Sequence, residues 1–286
     1  MLYDEPITLV HKNSQPYSPR NFDHQFRGAL TARQALAESR NVCAVEVANN
    51  TGVDKIIKVA RAAGISAPLY PGLSLALGSC AVSPLEMASA YATLARGGVE
   101  MHPRLIRKIT GSDGTTLSQS TTSATRVFDQ EAVAELVDIM QDVVQSGTGK
   151  QAKLPDRAVA GKTGTADQAK DVWFIGFTPD TVTALWGGND QQLSIPGTRV
   201  TGGTVMASIW RDYMSSFYRT HRTLATAFAA PDYPFDRQPQ GFIASLKEGV
   251  HKVELAAEQI DSAVEGKVQK HHGFFGFMKK LAGIFL

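Results

Sequence analysis

The sequence predicts an α+β fold, an antiparallel sheet flanked by helices. Three observations carry it. Apolar residues recur at helical spacing through much of the first 146 positions. Three short strand-like runs then follow between residues 158 and 187, joined by connections short enough for antiparallel neighbours. A last amphipathic stretch, residues 204–217, closes the pattern and offers a helix to pack on the sheet.

Residues 1–27 are polar and carry Pro6, Pro16 and Pro19, so they read as extended connecting structure. Thr31 is a candidate cap for a helix over 32–39, rich in Ala, Arg, Gln and Leu. Further helices are expected over 42–50 and 53–63, the latter stopped by Gly64. Pro68, Pro71, Gly72 and Gly78 mark a loop over 66–80. Leu85, Ala88, Tyr91, Ala92 and Ala95 place a helix over 84–96, ended by Gly97-Gly98. Short strands are expected at 105–109 and 126–128, with a Ser/Thr/Gly-rich surface loop over 111–125 between them. Residues 131–146 form a strong amphipathic helix, with Val133, Leu136, Val137, Met140, Val143 and Val144 on one side. The three strands are expected at 158–165, 171–178 and 181–187. In the closing helix, Val205, Ile209, Tyr213 and Phe217 share a face that should meet the sheet.

The domain is expected to run over 1–218, followed by a proline-containing linker over 219–243 and a helical tail over 244–286. An amphipathic helix is expected over 252–268. The last stretch, 273–286, is apolar but interrupted by Lys279 and Lys280. It is too short and too charged to span a bilayer, so it reads as a helix docked on its own domain or a partner, or as an interfacial membrane anchor.

Bulk properties exclude more than they assign. The 286 residues are 43% apolar and 20% charged with net charge +2, which rules out a wholly disordered chain and gives no pointer to nucleic acid. Cys43 and Cys80 form no CxxC pair and stand near no histidine cluster, so no metal or other cofactor is expected; they read as buried or partly buried thiols, with a disulfide as the alternative in an exported protein. The first residues lack the basic and apolar regions of a signal peptide, and no apolar run reaches bilayer length, so the sequence itself supplies no expected route of export.

Two short motifs carry chemistry. Ser39-Arg40-Asn41 lies at a predicted helix end, and Lys162-Thr163-Gly164-Thr165 on a predicted strand. Either alone is weak; order, separation and context make the pair specific. A lysine on an inner strand sets a cation beside a reacting hydroxyl, and a buried lysine with another cation nearby has a lowered pKa, so that it can relay protons. The hydroxyls of Ser39, Thr163 and Thr165 and the side-chain amide of Asn41 add hydrogen-bonding groups able to donate to a bound ligand or pass a proton. Gly164 clears room for a substrate backbone lying along the strand as an added strand. In isolation, each residue has a plainer account: a polar helix end, a surface asparagine, a solvated edge-strand lysine. Asp4, Glu5, His24 and His102 are taken as surface or loop residues. Gly161-Lys162-Thr163 also resembles the end of a phosphate-binding loop, but the glycine that loop needs five positions earlier is Asp156, and a strand follows where a helix should begin.

The motifs resemble those of acyl-serine transferases, the penicillin-binding proteins and class A β-lactamases, which use Ser-x-x-Lys, Ser-x-Asn and Lys-Thr-Gly in that order. The surrounding text is most similar to class A penicillin-binding proteins: Tyr17-x-Pro19-x-Asn21, Arg33-Gln34-Ala35-Leu36 into Ser39-Arg40-Asn41, Ala76-Leu77-Gly78-Ser79, Pro84-Leu85-Glu86-Met87, Gly147-Thr148, and Asp171-Val172-Trp173-Phe174. The resemblance covers about residues 1–218. It implies a β-lactamase/transpeptidase-like fold, catalytic roles for Ser39, Asn41 and Lys162, and substrate binding by Thr163, Gly164 and Thr165. It also implies a backbone hole for the substrate oxygen near Thr165 or Ala166. The implied partners are peptidoglycan stem peptides and β-lactams, at the periplasmic face of the inner membrane.

The first of the three motifs is missing, because no serine in the chain stands three positions before a lysine. Without that pair there is no activated hydroxyl to form an acyl-enzyme. The expectation is an N-terminally truncated transpeptidase domain, inactive alone. Its alternatives are a split enzyme, a non-catalytic module that binds peptidoglycan peptides, and, for the parent, a D,D-carboxypeptidase or β-lactamase-like hydrolase.

Overall fold

The structure is a computed structural model that describes residues 1–10, 15–191, 193–197 and 199–232. The segment expected to be connecting structure begins with a strand, β1 (Leu2–Asp4), which pairs antiparallel with β2 (Gly28–Leu30). Helix α1 (Ala32–Ala37) follows. Thr31 caps it, its hydroxyl accepting from the Gln34 amide while the Gln34 side chain accepts from the Thr31 amide. Helix α2 (Asn41–Thr51) is buried on nearly every side through Val42, Cys43, Ala44, Val45, Val47 and Ala48. It is the interior helix of this half, as its small apolar residues require. Helix α3 (Val53–Ala62) and a short 3-10 turn (Leu73–Leu77) pack around it. Helix α4 (Pro84–Ala95) starts on a Ser83/Glu86 capping box with proline at its first position.

Beyond α4, β3 (Val99–Glu100) pairs with β6 (Thr125–Arg126), and between them β4 (Lys108–Thr110) pairs with β5 (Thr116–Gln119). This corrects the expected loop over 111–125. Asp113-Gly114 makes a hairpin turn, with Gly114 at φ +83°, and the polar run Thr116–Gln119 is a strand because both faces of the ribbon are in solvent. The expected strand at 105–109 accordingly begins at Lys108, and Leu105 is wholly exposed.

Helix α5 (Gln130–Gln145), capped by Asp129, buries the face expected of it. The central sheet has the order β7 (Ala160–Thr165), β8 (Asp171–Phe177), β9 (Val182–Gly188), antiparallel throughout. Ala160, Ile175 and Phe177 meet α4 and α5 through Tyr91, Leu94, Leu136, Met140 and Val143. On the opposite face Phe174 meets Trp210 and Met214 of α6 (Ala207–Thr220), which a π-helical turn, Gly202–Met206, introduces. Burial of a side chain such as Phe174 contributes about 1.5–3 kcal/mol. These two helix layers hold β7 in place.

Of the face expected to seat the last helix, Phe217 packs against the cluster of Phe174, Trp210 and Met214, but Ile209 and Tyr213 do not. Ala207, Trp210 and Met214 are buried, while Ile209 and Tyr213 are about half exposed. Two apolar stripes compete on this helix, and the one carrying tryptophan wins. The Trp210 indole donates to the Thr183 carbonyl at 3.1 Å, and Gly176 leaves its niche: a Cβ there would come within 2.6 Å of the indole.

The segment expected as a linker from 219 continues α6 to Thr220, and its Phe228 ring packs edge-on against Phe177 at 5.4 Å. The helix expected over 252–268 and the tail to 286 lie outside the described residues. Among the described residues no helix is long and apolar enough to cross a membrane. Cys43 is buried, Cys80 half-buried, and both are free thiols.

Candidate active site

Lys162 sits in the middle of β7, on the face turned toward α5 and the end of α1, and only 4% of it is exposed. This excludes the solvated edge lysine. Its ammonium donates to the Ser39 hydroxyl at 2.6 Å, between residues 123 positions apart, and to the Thr163 carbonyl at 3.0 Å. Neither acceptor carries charge. Burial alone therefore acts on the group and lowers its pKa from 10.5 to about 8. A lysine so placed exists in both protonation states near neutral pH and can pass a proton to and from the hydroxyl it touches.

Ser39 reaches that position through an uncommon backbone. Helix α1 ends at Ala37, and Ser39 follows with φ +55°. Its amide donates to the Leu36 carbonyl at 3.1 Å, and the Arg40 amide to that of Ala35 at 2.9 Å. This pair of bonds ends many helices, and the left-handed residue in it is ordinarily glycine. For a residue with a Cβ that conformation costs about 1–2 kcal/mol. Where glycine would fold more easily, the chain carries a hydroxyl aimed at Lys162.

Asn41 opens α2, and its side-chain amide donates to the Arg20 carbonyl at 2.8 Å. Strand alternation puts Thr163 and Thr165 on the face opposite Lys162 and Gly164. Thr163 shares a 2.8 Å hydrogen bond with the Thr148 hydroxyl, and Thr165 accepts one from the Gly202 amide at 3.0 Å. Gly164 lies beside the Trp173 side chain, and Gly202 passes close to its main chain. A Cβ on Gly202 would lie 2.5 Å from the Gly164 carbonyl oxygen, and a Cβ on Gly164 itself would lie 3.1 Å from that of Trp173. The structure thus brings Ser39 and Lys162 into contact, ties Thr163 and Thr165 to loops behind the strand, and turns Asn41 toward residues 17–21.

Several residues of the site escaped the sequence reading. Thr148 couples its two halves: its amide donates to the Ala37 carbonyl at 3.1 Å while its hydroxyl meets Thr163. Gly147-Thr148 stood in the string that resembles the family, but nothing in the string gave it a role. Asp4, expected at the surface, is fully buried. Its carboxylate accepts from Asn21 Nδ2 at 2.6 Å, the Arg27 amide at 3.0 Å and Arg40 Nε at 2.8 Å. Burial of Asp4 follows from that donor set, which satisfies both of its oxygens. Glu5, His24 and His102 are exposed as expected. Among the described residues no group of acidic, histidine or cysteine side chains is arranged to hold a metal.

Residues 4–215 match the family described as penicillin binding protein transpeptidase domain. The chain is 33% identical over 249 residues to penicillin-binding protein 1A of Aquifex aeolicus, covering 84% of this chain and 33% of that protein. It is 37% identical over 223 residues to penicillin-binding protein 1A of Neisseria cinerea, covering 75% and 28% respectively. It therefore spans about a third of the length of these curated relatives. Its fold matches penicillin-binding protein 1A from Haemophilus influenzae with a TM-score of 0.71 at 22% identity, over 81% of this chain and 40% of that one. It also matches PonA1 from Mycobacterium tuberculosis, solved in complex with penicillin V, with a TM-score of 0.72 at 22% identity, over 81% and 66%. A mixed fold with its motifs in register, a buried lysine on the serine of Ser-x-Asn, and a family match over most of the chain lead to one assignment: the chain belongs to the penicillin-binding protein transpeptidase domain family.

Proposed function

We propose that this chain supplies the Ser-x-Asn and Lys-Thr-Gly half of a peptidoglycan-cross-linking site in a class A penicillin-binding protein. The observation that carries the proposal is the 2.6 Å contact between Lys162 and Ser39. Lys162 holds the proton path, and Ser39 hands the proton to the leaving D-alanine amine. The β7 edge receives the acyl-peptide as an added strand, with Gly164 leaving room for its backbone. Thr163 and Thr165 bind the terminal carboxylate once their present hydrogen bonds are exchanged for it, and Asn41 turns from the Arg20 carbonyl to the substrate amide. The substrates are D-Ala-D-Ala stem peptides, and β-lactams take their place in the same groove. The working location is the periplasmic face of the inner membrane. The nucleophile is not in these 286 residues, so the chain alone forms no acyl-enzyme.

The test uses fluorescent penicillin. The chain as it stands should show no covalent band after denaturing electrophoresis. Joined behind the segment that precedes the matched region in the Neisseria cinerea relative, it should become labelled, and Lys162→Ala in that fusion should abolish labelling. A covalent adduct on the chain alone would overturn the nucleophile argument. Undiminished labelling of the Lys162→Ala fusion would remove Lys162 from the site.

A further inference from the structure

Ser39 is held in a conformation its side chain disfavours, and the bonds of the helix ending do not account for its retention, because glycine would satisfy the same bonds at less cost. Something must fix the residues on either side. Arg40, the next residue, is 4% exposed, and its guanidinium is held on three sides. Nε donates to Asp4 at 2.8 Å, Nη1 to Asp23 at 2.9 Å, and Nη2 to the Gln25 carbonyl. Asn21 extends the hold past Asn41. Its Nδ2 donates to Asp4 and to the Gln25 carbonyl, and its Oδ1 accepts from the Val42 amide at 3.3 Å. The chain is thus gripped at 40 and again at 42, and the grip converges on one buried carboxylate.

We infer that Asp4, acting through Arg40, is a positioning residue for the site: it fixes the turn that presents the Ser39 hydroxyl to Lys162. The inference rests on the proposed role of the Ser39–Lys162 contact. Asp4 touches neither side chain. A carboxylate suits the task because it accepts from several donors at once and balances the Arg40 charge where water does not reach. With Asn at position 4, Arg40 loses its buried counter-charge and keeps only Asp23, which is partly exposed. The turn is then free to relax toward negative φ, which carries the hydroxyl off the ammonium.

The experiment follows the Lys162 titration midpoint by NMR of the side-chain nitrogen, in the full chain and in Ser39→Ala, Asp4→Asn and the double variant. Ser39→Ala removes an acceptor from the ammonium, so its midpoint should fall by about half a pH unit or more. Asp4→Asn should lower it in the same direction, and the double variant should match Ser39→Ala alone, since a displaced hydroxyl and a deleted one leave the lysine alike. Asp129→Ala, which uncaps α5 without touching the grip, should lower stability and leave the midpoint where it was. If Asp4→Asn fails to fold, Asp23→Asn serves, with a smaller shift of the same sign. A midpoint that moves in Ser39→Ala but not in Asp4→Asn or Asp23→Asn overturns the positioning role alone, as do additive shifts in the double variant. A midpoint unmoved by Ser39→Ala overturns the proposed proton path as well.

Discussion

Replacing Ser39 by alanine and by glycine separates what its backbone costs from what its hydroxyl does. Both variants remove the Lys162 acceptor, so that loss cancels between them. They differ in the Cβ that alanine keeps at φ +55°. A left-handed residue with a Cβ carries a penalty of about 1–2 kcal/mol. Glycine escapes it but loses about 0.5–1 kcal/mol more conformational entropy on folding. The centres of these ranges leave the glycine variant more stable than the alanine variant by about 0.7 kcal/mol. At an ordinary helical position the same pair differs by a similar amount with the opposite sign. The sign is therefore the result that matters. Urea unfolding at pH 7, with both variants fitted to a common m-value, reads it as a difference in midpoint. An alanine variant as stable as the glycine variant, or more so, would refute the claim that the turn at Ser39 stores strain.

Three further outcomes follow from groups that sit at odds with their surroundings. Lys162→Met should stabilise the fold at pH 7 by on the order of 1–3 kcal/mol, because it removes a buried cation with only neutral acceptors. The folded-state pKa of about 8 lies below the ordinary 10.5, so the unfolded chain binds more protons between them. Wild-type stability should thus rise from pH 8 to 10.5, and the methionine variant should lack that rise in the same unfolding series. Glu135 is 5% exposed, its Oε2 has no hydrogen-bond partner among the described residues, and burial, with Glu131 adding to it, pushes its pKa up to about 8. Here the folded state binds the extra proton, so stability should fall by on the order of 2–4 kcal/mol as pH rises from about 4.5 to 8. Glu135→Gln should flatten that fall, and an unchanged pH profile would show that the carboxyl finds solvent. Gly147→Ala would set a Cβ 2.2 Å from the Ala37 carbonyl oxygen and should cost about 2 kcal/mol or more, measured by thermal unfolding.

What the sequence made legible was what is local or periodic. The α5 stripe is a pattern within one element and names its own buried face, and β7 and β8 were legible as short strand-like runs with a short connection. The last helix has two stripes, and the choice between them lies in Gly176 and the Thr183 carbonyl, on other strands. The hairpin strand Thr116–Gln119 has no apolar face because it packs on nothing, so composition took it for a loop. In the site, Ser39 and Lys162 were legible as motif members. Asp4 was not, since a carboxylate near a chain start is ordinarily solvated and only the folded chain brings Arg40 to it across 36 positions. The hydrogen bonds of Thr163 and Thr165 to Thr148 and Gly202 were equally hidden, because the strand fixes which way a side chain points but not which loop waits there.

The sheet order β7–β8–β9 makes the lysine strand an edge of the described sheet. If this edge takes one extended peptide, as proposed, it can take any other, including the matching edge of a neighbouring molecule. Recognition and self-association then compete for the same row of amides and carbonyls. At high concentration, edge-to-edge pairing would take the groove out of service, and a peptide or β-lactam seated along β7 would act as a solubilising agent. Turbidity that falls as such a ligand is titrated in would report occupancy of this strand without any covalent step.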